Sequence, residues 1–211
     1  TIKDTARVLG RMFDAIQFRG YQQKTVEVLA AHSGVPVYNG LTDMYHPTQV
    51  LADIMTLIEI FSQVKGLKLC YLGDGRNNVA NSLLLICAKL GLHISIISPA
   101  TLQPQAQHVQ ICSDIAKASG SRIVITDKLE EVQGANAIYT DVWVSMGEEA
   151  QFAERIRLLE PYRVTMAALE RTKNPNVIFL HCLPSFHDRN TAVGEQVYKQ
   201  YGLAEMEASD E

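Results

Sequence analysis

One tryptophan and four widely separated cysteines are the scarcest chemistry in this 211-residue chain. Cys70, Cys87, Cys112 and Cys182 form no CxxC pair, which argues against a zinc ribbon. They make no dense disulfide framework either, so the chain is expected to be reduced and intracellular, with a cytoplasmic location. Long apolar runs are missing. The longest, Ser82 to Ser98, is interrupted by Lys89, Gly91 and His93 and is too short to span a bilayer. Excess positive charge is missing too: 19 Lys and Arg against 23 Asp and Glu give a net charge of −4, so neither nucleic acid nor a membrane is an expected partner. There is no internal repeat and no low-complexity segment. What is present is ordinary globular material, 47% hydrophobic and 20% charged, enough for a sizeable core. The opening TIKDTARVLGRMFDAI reads as the inside of a helix-rich region, so the chain is expected to be a fragment. The closing EMEASDE reads as a frayed acidic end.

The hydrophobic pattern changes along the chain. Asp4 or Thr5 is a candidate cap for a helix through Phe18, with Ala6, Leu9, Met12, Phe13 and Ile16 on one face. A helix is expected from Gln22 to Ala31, a short strand in VPVYNG, and a helix from Pro47 to Phe61 whose first turn tolerates the proline. From LKLCYL onward strands and helices alternate: NVANSLLLICAKLG is a helix, HISIIS a strand, Pro104–Ser119 a helix and RIVIT a strand. AIYTDVW and NVIFLHCLP are further strands, with helical material between them. Continuous apolar strands alternating with helices predict an α/β fold: a doubly wound parallel sheet with helices on both faces, preceded by the end of a second α/β domain. Ligands of such sheets bind beyond the carboxyl ends of the strands, where every polar motif of this chain falls.

The first motif is GDGRNN. A dinucleotide fingerprint needs a third glycine where Asn78 stands and an acid at the end of the next strand, which here reads IISPA. A tight strand–helix turn is the plainer reading, leaving two amides, Asn77 and Asn78, to cap the helix or hold a small polar ligand. In YHPTQ, His46 and Gln49 are spaced to face one point around a helix start, where an imidazole and an amide could polarise a carbonyl and hold an NH2 group. A surface histidine beside a cap at Thr48 or Asp43 is the alternative. In DVWVSMG, Asp141 ends a strand and Ser145, Met146 and Gly147 form a turn; a carboxylate with a hydroxyl and exposed backbone suits a ligand ammonium and carboxylate. Ser145 with Glu148 also fits a capping box. In HCLP, Cys182 sits at the ligand edge, but adjacent strand residues point to opposite faces, which argues against direct activation by His181. The alternative is a small buried thiol. Leu183–Pro184 is a candidate cis bond. Arg19, leaving the first helix beside Gly20, could reach a phosphate bidentately or be a surface charge.

Taken together, FRG, HPTQ, GDGRNN, DVWVSMG and HCLP resemble, in order and spacing, the ornithine carbamoyltransferases, over nearly the whole chain. The resemblance implies transfer of a carbamoyl group from carbamoyl phosphate to the side-chain amine of L-ornithine, without metal or organic cofactor. It implies that Arg19 and the stretch His46, Pro47, Thr48 and Gln49 bind carbamoyl phosphate. It places Asn78, Asp141, Ser145 and Met146 on ornithine, with Cys182 and Leu183 over the reacting centre; Arg19, His46, Asp141 and Cys182 are then the candidate catalytic residues. It divides the chain into 1–63, the end of a carbamoyl phosphate domain with its linking helix, and 64–211, an incomplete ornithine domain, and it implies a homotrimer or an assembly of trimers. Two parts of the pattern have no counterpart here: a Ser-Thr-Arg-Thr-Arg phosphate loop upstream, and a C-terminal segment carrying an arginine near the reaction centre. The fragment alone is therefore expected to be inactive. The rival readings are a nicotinamide-dependent oxidoreductase, a non-catalytic amino-acid-binding fragment, and a carbamoyltransferase for another amine such as putrescine, against which SMG argues because putrescine has no carboxylate.

Overall fold

Two parallel sheets organise the computed structural model, which describes residues 1–144 and 152–210. The first is small. Helix α1 (Ile2–Met12) is closed at its start by a capping box in which Thr1 and Asp4 exchange hydrogen bonds. The helix expected to run through Phe18 stops at Met12; Phe13 is extended, and Ile16–Arg19 is strand β1. The spacing of Met12, Phe13 and Ile16 suits a helix, but Ile16 and Phe18 also alternate, and pairing with β2 (Val37–Leu41) decides between the two. Helix α2 (Gln23–Ser33) has no cap from its own Gln22; Asp43 Oδ1 instead accepts from Gln23 N at 2.9 Å. Helix α3 (Pro47–Phe61) starts on its proline and buries Val50, Asp53, Ile54 and Leu57.

The second sheet has five parallel strands in the order β5-β4-β3-β6-β7. They are β3 (Lys68–Leu72), β4 (His93–Ile97), β5 (Ile123–Thr126), β6 (Ala137–Thr140) and β7 (Ile178–His181). Between and after them run α4 (Asn78–Leu90), α5 (Ala106–Ser119), α6 (Phe152–Leu159), α7 (Met166–Arg171) and α8 (Ala192–Tyr201). Alternate residues of β3 sort the core. Leu69 and Tyr71 pack with Leu83 and Leu84 of α4, Cys112 of α5 and Ile54 of α3. Cys70 and Leu72 pack on the opposite face with Val132, Tyr162 and Val164. This is the doubly wound sheet with helices on both faces, and each such fully buried aliphatic side chain contributes roughly 1.5–3 kcal/mol. The chain moves outward from β3 to β5 on one side and from β6 to β7 on the other, so the loops after β3 and β6 meet at the point where the winding reverses.

The closing segment is packed, not frayed, at Met206–Ala208. Ala208 bridges Val164 in parallel, Arg163 Nε donates to the Met206 carbonyl at 2.7 Å, and Met206, Glu207 and Ala208 are buried. The acidic letters conceal alternation: Met206 fills a cluster with Trp143, Leu159 and Val197, while Glu207 Oε1 accepts from Phe186 N at 2.6 Å. Helix α8, which contributes Val197 to that cluster, has no counterpart in the sequence reading.

Candidate functional site

The loop after β3 is shaped by its glycines. Gly73 has φ +137°, which side chains resist, and a Cβ on Gly75 would lie 2.8 Å from Ile96 Cγ2 and 3.0 Å from the Leu102 carbonyl oxygen. Both glycines therefore serve backbone geometry, as the plainer reading of GDG expects. Asp74 between them is buried and forms a close ion pair with Arg155 of α6, whose Nε donates to the Trp143 carbonyl at 2.6 Å.

Asn77 caps α4, its Oδ1 accepting from Ala80 N at 2.7 Å, and its Nδ2 donates at 2.8 Å both to the Tyr71 hydroxyl and to Asp141 Oδ2. Asp141 leaves β6 on the other side of the winding reversal. Its Oδ1 accepts from Val142 N at 2.7 Å and from the Cys182 thiol, just past β7, at 2.8 Å. Three adjacent strand ends thus converge on one buried carboxylate. Burial raises the Asp141 pKa above the ordinary carboxylate value, opposed by the Cys182 and Val142 hydrogen bonds. Burial first, then the Asp141 charge, drive the Cys182 pKa far up, so the thiol stays protonated. His181 Nδ1 accepts from Leu183 N at 2.9 Å, and its Nε2 lies 3.3 Å from Glu207 Oε1. Leu183 is exposed, and the Leu183–Pro184 bond is cis.

The opposite wall starts at α3. His46 precedes it, and the His46 backbone N–H donates to Ser82 Oγ of α4 at 2.8 Å. Burial, and then the charge of Arg19, push the His46 pKa below its ordinary value, so the ring is neutral at physiological pH. Pro47 opens the helix; Thr48 Oγ1 donates to the Gly40 carbonyl at 2.9 Å and so does not cap it. Gln49 Nε2 donates to Asp53 Oδ1 at 2.9 Å. Arg19, at the end of β1, is exposed and donates no side-chain hydrogen bond among the described residues. Asn78 donates to the Thr42 carbonyl at 2.8 Å. The first two turns of α4 therefore hold both walls: Asn77 grips Asp141, Asn78 grips Thr42 and Ser82 grips His46.

Of the residues singled out in the sequence, Asp141, Cys182, His46 and Asn78 are placed by contacts around α4 and the ends of β6 and β7, and Gln49 by Asp53 on α3. Ser145 and Met146 lie outside the described residues. Asn77 was read as a cap or a ligand and also holds Asp141. Tyr71 was not singled out, though a tyrosine in an apolar strand needs a partner for its hydroxyl.

Two family models match this arrangement of motifs and lobes. The Asp/Orn-binding domain of aspartate/ornithine carbamoyltransferase matches residues 65–209, and the carbamoyl-P-binding domain matches residues 1–59. The chain belongs to the aspartate/ornithine carbamoyltransferase family. Within it, the chain is 58% identical over 212 residues to the catabolic ornithine carbamoyltransferase of Bacillus licheniformis, covering 100% of this chain and 63% of that one. It is 57% identical to the ornithine carbamoyltransferase of Streptococcus suis, covering 99% and 62%. Its fold superposes on ornithine carbamoyltransferase from Pyrococcus furiosus with a TM-score of 0.86 at 38% identity, over 100% of this chain and 61% of that chain. The chain thus spans a little under two thirds of the length of these carbamoyltransferases.

Proposed function

We propose that the protein containing this chain transfers the carbamoyl group of carbamoyl phosphate to the side-chain amine of L-ornithine, giving L-citrulline and phosphate. The observation that carries this reading is the double grip of α4, which sets Asp141, and through it Cys182, on one wall and His46 on the other, with Gln49 one turn into α3. The amine nitrogen attacks the carbamoyl carbon, the tetrahedral intermediate expels phosphate as the C–O bond breaks, and the attacking nitrogen loses a proton. Neutral His46 donates to the developing oxyanion and Arg19 offers charge beside it. Gln49 receives the carbamoyl NH2. A free alkylamine has a pKa of ~10.4, so the site must favour its neutral form. Asp141, with Cys182, orients the amino-acid substrate; its partner Asn77, itself bonded to Tyr71, fixes it in place. Asn78, Ser145, Met146 and Leu183 complete the ornithine contacts, and Pro47 and Thr48 those to carbamoyl phosphate. Residues 1–63 form the end of the carbamoyl phosphate lobe, and residues 64–211 the ornithine lobe. The homotrimer, or assembly of trimers, and a cytoplasmic location belong to the same reading; no helix among the described residues is long and apolar enough to cross a membrane.

The test is citrulline formation from ornithine and carbamoyl phosphate by the full-length protein, with putrescine and aspartate as competing acceptors. Carbamoylation of either competitor in preference to ornithine would overturn the reading.

A further inference from the structure

Asp53 is a buried carboxylate, 6% exposed, one turn beyond Gln49 on α3. Its Oδ1 accepts from Gln49 Nε2 at 2.9 Å; its Oδ2 is buried without a well-formed hydrogen bond, and the Tyr139 hydroxyl is the neighbouring donor. The titratable groups facing it are Tyr139 from β6, Cys87 from α4 and Cys182 beyond β7. All are neutral, since burial holds each of them protonated. No salt bridge to Asp53 exists among the described residues. A carboxylate buried against two neutral donors, the Gln49 amide and the Tyr139 hydroxyl, and no cation costs stability, so its presence is not explained by packing.

Its chemistry does explain it. An ionised carboxylate only accepts hydrogen bonds, so its partner amide must turn the NH2 group toward it. That leaves the Gln49 carbonyl oxygen free to face outward and accept from a ligand NH2. We propose that Asp53 is a positioning residue: it fixes the orientation of the Gln49 amide, so that Gln49 presents an acceptor, and not a donor, to the carbamoyl nitrogen. This rests on the carbamoyl-transfer reading above. Burial raises the Asp53 pKa to about 6 from its ordinary value, so the group is ionised at neutral pH and able to enforce that orientation.

Asparagine at position 53 either accepts or donates, so it no longer dictates which way Gln49 points. The experiment compares the full-length wild type with the variants Asp53→Asn, Gln49→Ala and the double variant. The KM for carbamoyl phosphate, the KM for ornithine, kcat and the thermal midpoint are measured at pH 7.5. Asp53→Asn should raise the carbamoyl phosphate KM about five- to tenfold, the worth of one hydrogen bond, with the ornithine KM nearly unchanged. Because Asp53 acts through Gln49, the double variant should match Gln49→Ala within about twofold. The midpoint of Asp53→Asn should not fall. With its folded pKa raised, ionised Asp53 costs stability as pH rises through about 6, and the amide removes that cost at pH 7.5. Multiplying effects in the double variant, equal losses for both substrates, or a lowered midpoint would each make Asp53 merely structural and overturn the proposal. A wild type that transfers no carbamoyl group overturns the functional reading and this inference with it. A wild type that does, beside an unaffected Asp53→Asn, overturns the inference alone.

Discussion

The wall built on β6 and β7 and the wall built around α3 differ in how much of their hydrogen bonding the protein itself consumes. Around Asp141, every polar partner is fixed by a strand end or a helix cap, and the carboxylate is 8% exposed. Around Arg19 and His46, the charged group is exposed and free of side-chain hydrogen bonds among the described residues, and the ring is half-buried. The same contrast holds for the lobes. The five-stranded sheet is covered on both faces, whereas helices α1 and α3 leave Val8, Met12, Phe13, Leu51, Met55 and Ile58 exposed. One wall is internally hydrogen-bonded around Asp141, and the other keeps the Arg19 side chain without a hydrogen bond among the described residues; on the proposed function, the first is the amino-acid side and the second the phosphate side. Substitutions in the first should therefore cost both stability and function, and those in the second function alone.

The largest effect should follow from the buried pair under the GDG turn. Asp74→Ala takes the carboxylate from a guanidinium that is 2% exposed, and breaking such a pair costs about 3–5 kcal/mol. Urea unfolding of the chain should show the second lobe losing that stability; a change under about 1 kcal/mol would mean that the pair is not what anchors α6 to the turn.

Asp141→Asn comes next. The amide retains the shape, but it opposes one NH2 group to that of Asn77 or loses the acceptor for the Cys182 thiol. A charge-assisted hydrogen bond is worth about 1.5–3 kcal/mol, so kcat/KM for ornithine in the full-length protein should fall about ten- to a hundredfold. The KM for carbamoyl phosphate should barely move. Equal losses for the two substrates would erase the distinction between the walls.

These two predictions rest on parts of the molecule that were unequally legible. The strands of the second sheet could be read from their apolar runs because a parallel sheet covered on both faces needs no alternation. Beta1 could not, because Ile16 and Phe18 fit both periods and only the pairing with β2 separates them. The tail was misread for a related reason: Met206 packs with Trp143 and Leu159, and Ala208 bridges Val164, all far off in sequence. At the site, Asp141, Cys182 and His46 were visible as chemistry at strand and helix ends. The role of Asn77 in holding Asp141 was not, since it depends on a partner that only the fold supplies, whereas the Gln49–Asp53 pair lies one turn apart on an expected helix and was passed over.

Arg19→Ala should behave in the opposite way to Asp74→Ala. The side chain is exposed, so unfolding should change by less than about 0.5 kcal/mol. Its charge nevertheless reaches His46, and in the full-length protein the affinity for carbamoyl phosphate should drop about tenfold or more, as expected for lost charge-assisted contacts to a phosphate. The His46 pKa should rise when the positive neighbour is removed, which an NMR titration of the ring would detect. A destabilised variant with unchanged phosphate affinity would reverse the assignment of the two walls.

The smallest effect should come from Cys182, where a nucleophile and a hydrogen-bond donor make opposite demands. A nucleophilic thiol must ionise readily, and a free cysteine does so near ~8.5. Burial and the carboxylate of Asp141 both push Cys182 away from ionisation, and its hydrogen is already directed at Asp141 Oδ1. The thiol at the ligand edge is thus a donor held in its protonated form. Alkylation of Cys182 by iodoacetamide at pH 8 should be about tenfold slower than that of an unperturbed thiol, and it should climb without a plateau through pH 9. Cys182→Ser keeps a donor of nearly the same reach, so the full-length variant should retain turnover within a few-fold. Cys182→Ala, which leaves that lone pair of Asp141 without its partner, should lose about tenfold. A serine variant as impaired as the alanine variant, together with a carbamoylated Cys182 trapped by mass spectrometry, would make the thiol a covalent participant and move it from the orienting wall to the reacting centre.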